Sequence, residues 1–189
     1  MEGFNGMNLA NKISIARIIL IPFFIAAIIY SRLGVALGIF MLAIISDAAD
    51  GFIARTLEQK TELGTILDPV ADKLLLMSAY ITLSIVNLKE LITIPPYVMI
   101  IVISRDVIIV LGSIMIYMIK GSLEVSPSIT GKITTFFQMM TIVSVLVQFD
   151  YSAVIWNIAV TLTIASGIDY VIKGSRQFND NHHVNNGAV

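Results

Sequence analysis

The sequence predicts an all-α, polytopic membrane protein of six transmembrane helices preceded by a short N-terminal juxtamembrane segment. Three observations lead there. The 189 residues are 57% hydrophobic and 13% charged, with a mean hydropathy of +0.88, an apolar share above the soluble norm. The apolar residues gather into six runs, each near the roughly 20 residues that carry a helix across a bilayer. Most charges fall between those runs or at their ends. One membrane domain, residues 1–178, holds all of them, and the polar stretch 179–189 is expected to be a disordered tail.

The first run extends from Ile13 to Tyr30. The preceding MEGFNGMNLANK and this run lack the short apolar core and small-residue cleavage site of a signal peptide, so the run reads as a retained helix. Arg17, near its start, is expected to snorkel to the interface. Ser31 to Gly34 form a tight connection. The second run, Val35 to Ala54, carries Asp47 and Asp50 toward its end, and a polar segment from Arg55 to Thr65 follows. The third, Asp68 to Val86, places Pro69 in its first turn, where a missing N–H would have no helical partner anyway. Asn87 to Glu90 make a short loop. The fourth run, Pro95 to Ile119, is interrupted by Arg105 and Asp106, and Lys120 to Lys132 is the longest connection. Ile133 to Phe149 and Ser152 to Ile172 complete the set.

A net charge of −1 says nothing about nucleic acid, so the distribution of charge is what can be read. With both termini cytoplasmic, that side collects Lys12, Arg17, Arg55, Lys60, Lys120, Lys132, Lys173 and Arg176, leaving Arg32 and Lys89 opposite. Lys and Arg in short loops mark the cytoplasmic face. The termini and the acidic stretch 47–72 are therefore expected there. The absence of cysteine removes disulfides, thiolate metal sites and thiol nucleophiles.

The stretch DAADGFIARTLEQKTELGTILDPVAD carries the chemistry. Asp47, Asp50, Gly51 and Ala54 stand at i, i+3, i+4 and i+7 and share one helical face. Two carboxylates look the same way, and the small residues beside them let a bulky group approach the backbone. Arg55 is a cation suited to a phosphate oxygen. Gly64, Asp68 and Asp72 recur at spacings of four and share a second face if that segment is helical. Closing one face on the other would gather carboxylate oxygens at the cytoplasmic end of a helix hairpin. Hard oxygen donors without His or Cys favour Mg2+, Mn2+ or Ca2+, and a site partly open to phosphate favours Mg2+ or Mn2+. Acidic residues in membrane helices also pair structurally or line ion paths, so transport of a divalent cation is a competing reading. Transport leaves Gly51, Ala54, Arg55 and Gly64 without a role.

The pattern D-x-x-D-G-x-x-A-R, then G-x-x-x-D-x-x-x-D, resembles the signature of the CDP-alcohol phosphotransferase family, with Asp47, Asp50, Gly51, Ala54, Arg55, Gly64, Asp68 and Asp72 filling every fixed position. NLANKISIARIILIP, LDPVADK, GKITT and SGIDYVIKG are similar to segments of the bacterial phosphatidylglycerophosphate synthases within that family, so the resemblance covers nearly the whole chain. It implies transfer of a phosphatidyl group from CDP-diacylglycerol to sn-glycerol 3-phosphate, with release of CMP. It further implies that Asp47, Asp50, Asp68 and Asp72 hold a pair of Mg2+ or Mn2+ ions, and that Asp72 also serves as general base. By the same resemblance Asp50, Gly51, Ala54, Arg55 and Gly64 face the nucleotide, and the enzyme is a homodimer.

Arg105 and Asp106 are charged within an apolar run. One reading is an ion pair that ties neighbouring helices. The other, implied by the resemblance, is that Arg105 and Lys132 bind the acceptor's phosphate. Where those synthases commonly carry a second arginine two turns later, Gly112 and Ser113 stand here. SRDV and PSITGK also resemble cardiolipin synthases of the CDP-alcohol type, whose acceptor is phosphatidylglycerol. Asp169 is expected to pair with Lys173 at i+4, and Gln138 to reach either the cavity or another helix. Lys73 reads as a counter-ion to the carboxylates or an anchor. The methionines read as packing residues, and His182 and His183 belong to the tail.

Overall fold

The computed structural model describes residues 9–57, 62–86, 91–120 and 129–185, with side chains described over 15–46, 73–86, 91–112 and 129–172. These residues form six helices and no strand: α1 (Leu9–Ile29), α2 (Leu33–Leu57), α3 (Glu62–Ile85), α4 (Pro96–Lys120), α5 (Ile129–Leu146) and α6 (Ser152–Asn185). The chain divides into two compact units, one of Met1–Pro95 with Ile142–Ser152, the other of Pro96–Thr141 with Ala153–Val189.

In the first unit α1 packs against both α2 and α3. Helical periodicity sets the contact faces. Phe24, Ala27 and Ile28 of α1 are buried, as are Ala36, Phe40 and Ala43 of α2 and Leu75, Leu76, Ala79, Tyr80 and Leu83 of α3. The Phe24 and Phe40 rings meet at 5.8 Å between centroids, and the alanines let backbones approach. The outward faces are apolar as well: Phe23, Leu42, Ile45 and Ile81 are exposed. Such an exterior suits lipid, where dispersion and shape fit, more than water exclusion, hold helices together.

The α1–α2 connection closes on a non-glycine residue. Ser31 takes φ 56°, its N–H bonds to the Ile28 carbonyl and that of Arg32 to the Ala27 carbonyl, which is the double-bonded left-handed helix cap. Gly34 is already in the first turn of α2. The same cap ends α5, where Gln148 has φ 58° and the amides of Gln148 and Phe149 reach the carbonyls of Val145 and Ser144. A left-handed conformation costs an L-residue roughly 1–2 kcal/mol. At Gln148 the side chain offsets it: Oε1 accepts from the Ile92 amide at 2.7 Å, while Nε2 donates to the carbonyls of Ile92 at 3.2 Å and Val145 at 2.7 Å. One glutamine thus satisfies both backbone groups of a residue in the α3–α4 connection. Ile94 folds back in the same connection to donate to the Leu83 carbonyl.

In the second unit the buried stripes include polar residues on every helix. α4 buries Val98, Val102, Arg105 and Asp106; α5 buries Thr134, Gln138 and Thr141; α6 buries Ala159, Thr163 and Ser166. Thr134 donates to its own-helix Thr130 carbonyl at 2.8 Å and lies 3.2 Å from the Leu162 carbonyl of α6, and Gln138 Nε2 donates to the Thr163 hydroxyl at 3.2 Å. Gln138 therefore bonds another helix, one of the two roles expected for it.

The helices overrun the apolar runs that predict them. α2 continues through Leu57 and α3 starts at Glu62, so most of Arg55–Thr65 is helix and only 58–61 lies outside the described residues. Pro69 consequently falls inside α3, not in its first turn. α5 starts at Ile129, which makes Thr130 to Lys132 helical, and α6 runs past Ile172 and through 179–185. Loops expected at 87–90 and 121–128 lie outside the described residues. Among the described residues, Ile129–Leu146 and Ser152–Ile172 are long and apolar enough to cross a membrane, and Ile15–Ile29, Leu33–Ser46 and Lys73–Ile85 are shorter apolar segments.

Candidate active site

The acidic motif occupies the end of α2 and the start of α3. The side chains of Asp47, Asp50, Gly51, Ala54, Arg55, Gly64, Asp68 and Asp72 lie outside the described residues. The backbone register is described, however. Positions 36, 40 and 43 lie on the buried face of α2, and the helical repeat carries that register on to 47, 50 and 54. On α3, the register of Leu75, Leu76, Ala79 and Leu83 runs back to 72 and 68 at steps of three, four and seven. Positions 47, 50, 54, 68 and 72 are thus in backbone register with the buried residues of α2 and α3. Among the described residues no three acidic or histidine side chains converge.

Arg17 departs from expectation. It does not snorkel: only 2% of it is exposed. It shares the inward face of α1 with Phe24 and Ile28. Because the Phe24 and Phe40 rings touch, those positions lie at one level. Seven residues back from Phe24 is Arg17, and seven on from Phe40 is position 47, each about 10 Å along its helix. A buried guanidinium therefore stands at the level where the acidic positions of α2 begin. Sequence reasoning missed this because a lone arginine near a helix end has the same signature whether it points out or in. The signal available was its spacing, i and i+7, to Phe24.

The second unit supplies a described polar cluster. Arg105 is 8% exposed and Asp106 1%. Arg105 Nη1 lies 2.9 Å from Asp106 Oδ1, and Nη2 donates to the Ser166 hydroxyl of α6 at 2.6 Å. Its Nε–H is buried and has no hydrogen-bond partner among the described residues. A buried donor without a partner costs about 1–3 kcal/mol, which is the mark of a group held ready for a ligand or tolerated at a functional site. The ion pair is therefore made within α4, between adjacent residues, and the tie to a neighbouring helix is the hydrogen bond to Ser166. Lys132 is exposed in the first turn of α5.

Around this cluster α6 makes further polar contacts. Thr130 donates to Asp169 Oδ2 at 3.1 Å, so Asp169 engages the start of α5; Lys173 lies outside the described side chains. Tyr170 donates to the Ile109 carbonyl of α4 at 3.1 Å. Its ring covers Gly112 so closely that a Cβ there would stand 2.9 Å from Tyr170 Cε1. Gly112, one of the two residues in the region where similar synthases commonly carry a second arginine, is thus covered by a tyrosine that the sequence alone did not connect to it. A groove of about 450 Å³ between α4 and α6 is lined by Ile100, Ile101, Ile108, Ile164, Ile168 and Ile172, with Arg105 and Gly167 also on its wall.

Comparison with known proteins gives a consistent result. A family model described as CDP-alcohol phosphatidyltransferase matches residues 7–165. The CDP-diacylglycerol–glycerol-3-phosphate 3-phosphatidyltransferase of Aquifex aeolicus is 29% identical over 176 residues, covering 89% of this chain and 96% of the relative. The enzyme of that name from Haemophilus influenzae is 34% identical, covering 89% of this chain and 95% of the relative. The human cardiolipin synthase (CMP-forming) is 28% identical, covering 91% of this chain and 63% of the relative.

Proposed function

The chain belongs to the CDP-alcohol phosphatidyltransferase family, and from that premise we propose that it transfers the phosphatidyl group of CDP-diacylglycerol to sn-glycerol 3-phosphate, giving phosphatidylglycerophosphate and CMP. The observation that carries this reading is end-to-end correspondence. The relatives that this chain matches over 96% and 95% of their length are named for that reaction, whereas the cardiolipin synthase is matched over 63% of its length. The cation-transport reading gives way to the same family match.

The residues fit the chemistry. Asp47, Asp50, Asp68 and Asp72 are a hard-oxygen donor set suited to two Mg2+ or Mn2+ ions. Such ions, when bound, neutralise the pyrophosphate and stabilise the departing phosphate. The chain's own groups do the rest. Gly51, Ala54 and Gly64 leave room for the nucleotide, and Asp50 and Arg55 flank it. Asp72 takes the proton of the acceptor hydroxyl as its oxygen bonds to the lipid-side phosphorus and the bond from that phosphorus to the CMP oxygen breaks. Arg105 and Lys132 hold the acceptor's phosphate. Asp106 neutralises part of the Arg105 charge, so a second cation such as Lys132 is needed for an anion to bind well.

We place the enzyme in the cytoplasmic membrane as one domain over 1–178, with six spans, both termini and the motif on the cytoplasmic side, as a homodimer. The Lys and Arg distribution and the apolar helix exteriors support the membrane placement. A cavity opening to both leaflet and cytoplasm would admit a lipid nucleotide sideways and a soluble acceptor from water. Purified protein with Mg2+ or Mn2+ and CDP-diacylglycerol should release CMP when glycerol 3-phosphate is added. Release with phosphatidylglycerol and not with glycerol 3-phosphate would make it a cardiolipin synthase.

A further inference from the structure

We propose that Ser166 and Gly167 on α6 form the seat that positions Arg105, making Ser166 a positioning residue for acceptor binding; this rests on the reading of Arg105 as the acceptor's phosphate ligand. An arginine in the middle of a helix has a long stem with several rotatable bonds, and fixing its fork toward one ligand requires partners on more than one side. Asp106 supplies one, from the next residue on the same helix, at 2.9 Å from Nη1. Alone it leaves the guanidinium free to swing about that contact. Ser166 supplies the other. Its hydroxyl is 2.6 Å from Nη2, it is 2% exposed, and it reaches across from α6. The two contacts use one N–H on each terminal nitrogen and leave the buried Nε–H without a partner among the described residues, so the orientation of the fork is set by Ser166 and Asp106 together.

Gly167 completes the seat by what it lacks. A Cβ built there would lie 3.5 Å from Arg105 Cγ. A methyl there would make ordinary contact with the stem, and a β-branched side chain would add atoms at that contact. The adjacent residues therefore act on opposite ends of one side chain, the hydroxyl holding the fork and the glycine admitting the stem.

The test is steady-state kinetics of the full-length enzyme in mixed micelles, with the acceptor that drives CMP release as the titrated substrate. Ser166→Ala should raise the KM for that acceptor about tenfold, as expected for losing a hydrogen bond to a charged group, while kcat and the KM for CDP-diacylglycerol stay within about twofold. Ser166→Thr should restore the KM. Gly167→Val should raise the same KM by displacing the stem, and Thr161→Ala, which deletes an exposed hydroxyl on α6 bonded to its own helix, should change nothing. In an Arg105→Gln background Ser166→Ala should add no further effect, because a residue acting through another is silent once that other is gone. Equal rises in both KM values, an unchanged acceptor KM, or full additivity with Arg105→Gln would overturn the proposal. If phosphatidylglycerol proves to be the working acceptor, the reaction assigned above falls and the same KM split decides Ser166. A rise in melting temperature on adding glycerol 3-phosphate, present in the wild type and lost in Ser166→Ala, reads the effect without turnover; the same rise in both proteins would also overturn it.

Discussion

The two units solve one problem in opposite ways. Among its described residues the bundle of α1, α2 and α3 buries mainly carbon, from Phe24 and Phe40 to Tyr80 and Leu83, with Arg17 and Thr82 the exceptions. The unit containing α4, α5 and α6 buries an arginine, an aspartate, a glutamine and several hydroxyls. Carbon-to-carbon packing fixes distance but is indifferent to where a charge points. Hydrogen bonds fix direction. An apolar interior sets helix register and leaves the direction of any charged group at its end to other partners. A polar interior suits a cation that must be aimed by protein alone. Around the Arg105 guanidinium, α5 and α6 contribute buried polar side chains, Thr134 and Gln138 from one and Thr163 and Ser166 from the other.

Four substitutions break or sharpen this contrast. Asp72→Asn should lower CMP release about a hundredfold or more, the range lost with a general base, while the melting temperature in detergent holds. A parallel fall in melting temperature would mean that the motif belongs to the packing of the apolar unit and would dissolve the distinction. Phe40→Ala should destabilise that unit by about 3 kcal/mol through the cavity it leaves, measured by denaturant titration in micelles. Gly112→Ala should cost about 1–3 kcal/mol in the same titration, because its methyl meets the Tyr170 ring and overpacking displaces well-fitted neighbours. Gln138→Leu should cost only about 0.6 kcal/mol, the usual worth of a buried polar contact between membrane helices. Thr163 keeps its bond to the Ala159 carbonyl. A cost for Gln138→Leu as large as that for Phe40→Ala would show that the polar unit is held by its hydrogen bonds and not merely directed by them.

Much of this was legible in the sequence. The six helices fall where the apolar runs place them, and the short α1–α2 turn is where Ser31 interrupts the first run. The helix ends were not legible, for a physical reason. Hydropathy reports where a chain stops favouring lipid, whereas a helix stops where its backbone loses partners. Leu57, Glu62 and the residues after Ile172 lie in polar sequence that is still competent to be helical, so α2, α3 and α6 overrun their apolar runs. Pro69 was placed in a first turn because that is the position where it costs least, and the α3 start at Glu62 overrides that preference. At the site, Asp47 to Asp72 were legible as a pattern because spacing alone expresses a shared face. Arg105 was legible as an anomaly, a charge among isoleucines. Its partner Ser166, the Gln148 clamp and the Tyr170 lid over Gly112 were not, because each joins residues dozens of positions apart whose types are unremarkable singly.

The fit of Tyr170 over Gly112 reaches beyond the fold into how this chain can vary. Any side chain at position 112 would press on the ring at 170, since a Cβ there would already stand 2.9 Å from Tyr170 Cε1. A larger residue at 112 therefore needs the side chain at 170 to shift or to be smaller, which couples the two positions. What one of these two positions accepts is thus decided at the other, 58 residues away in the chain.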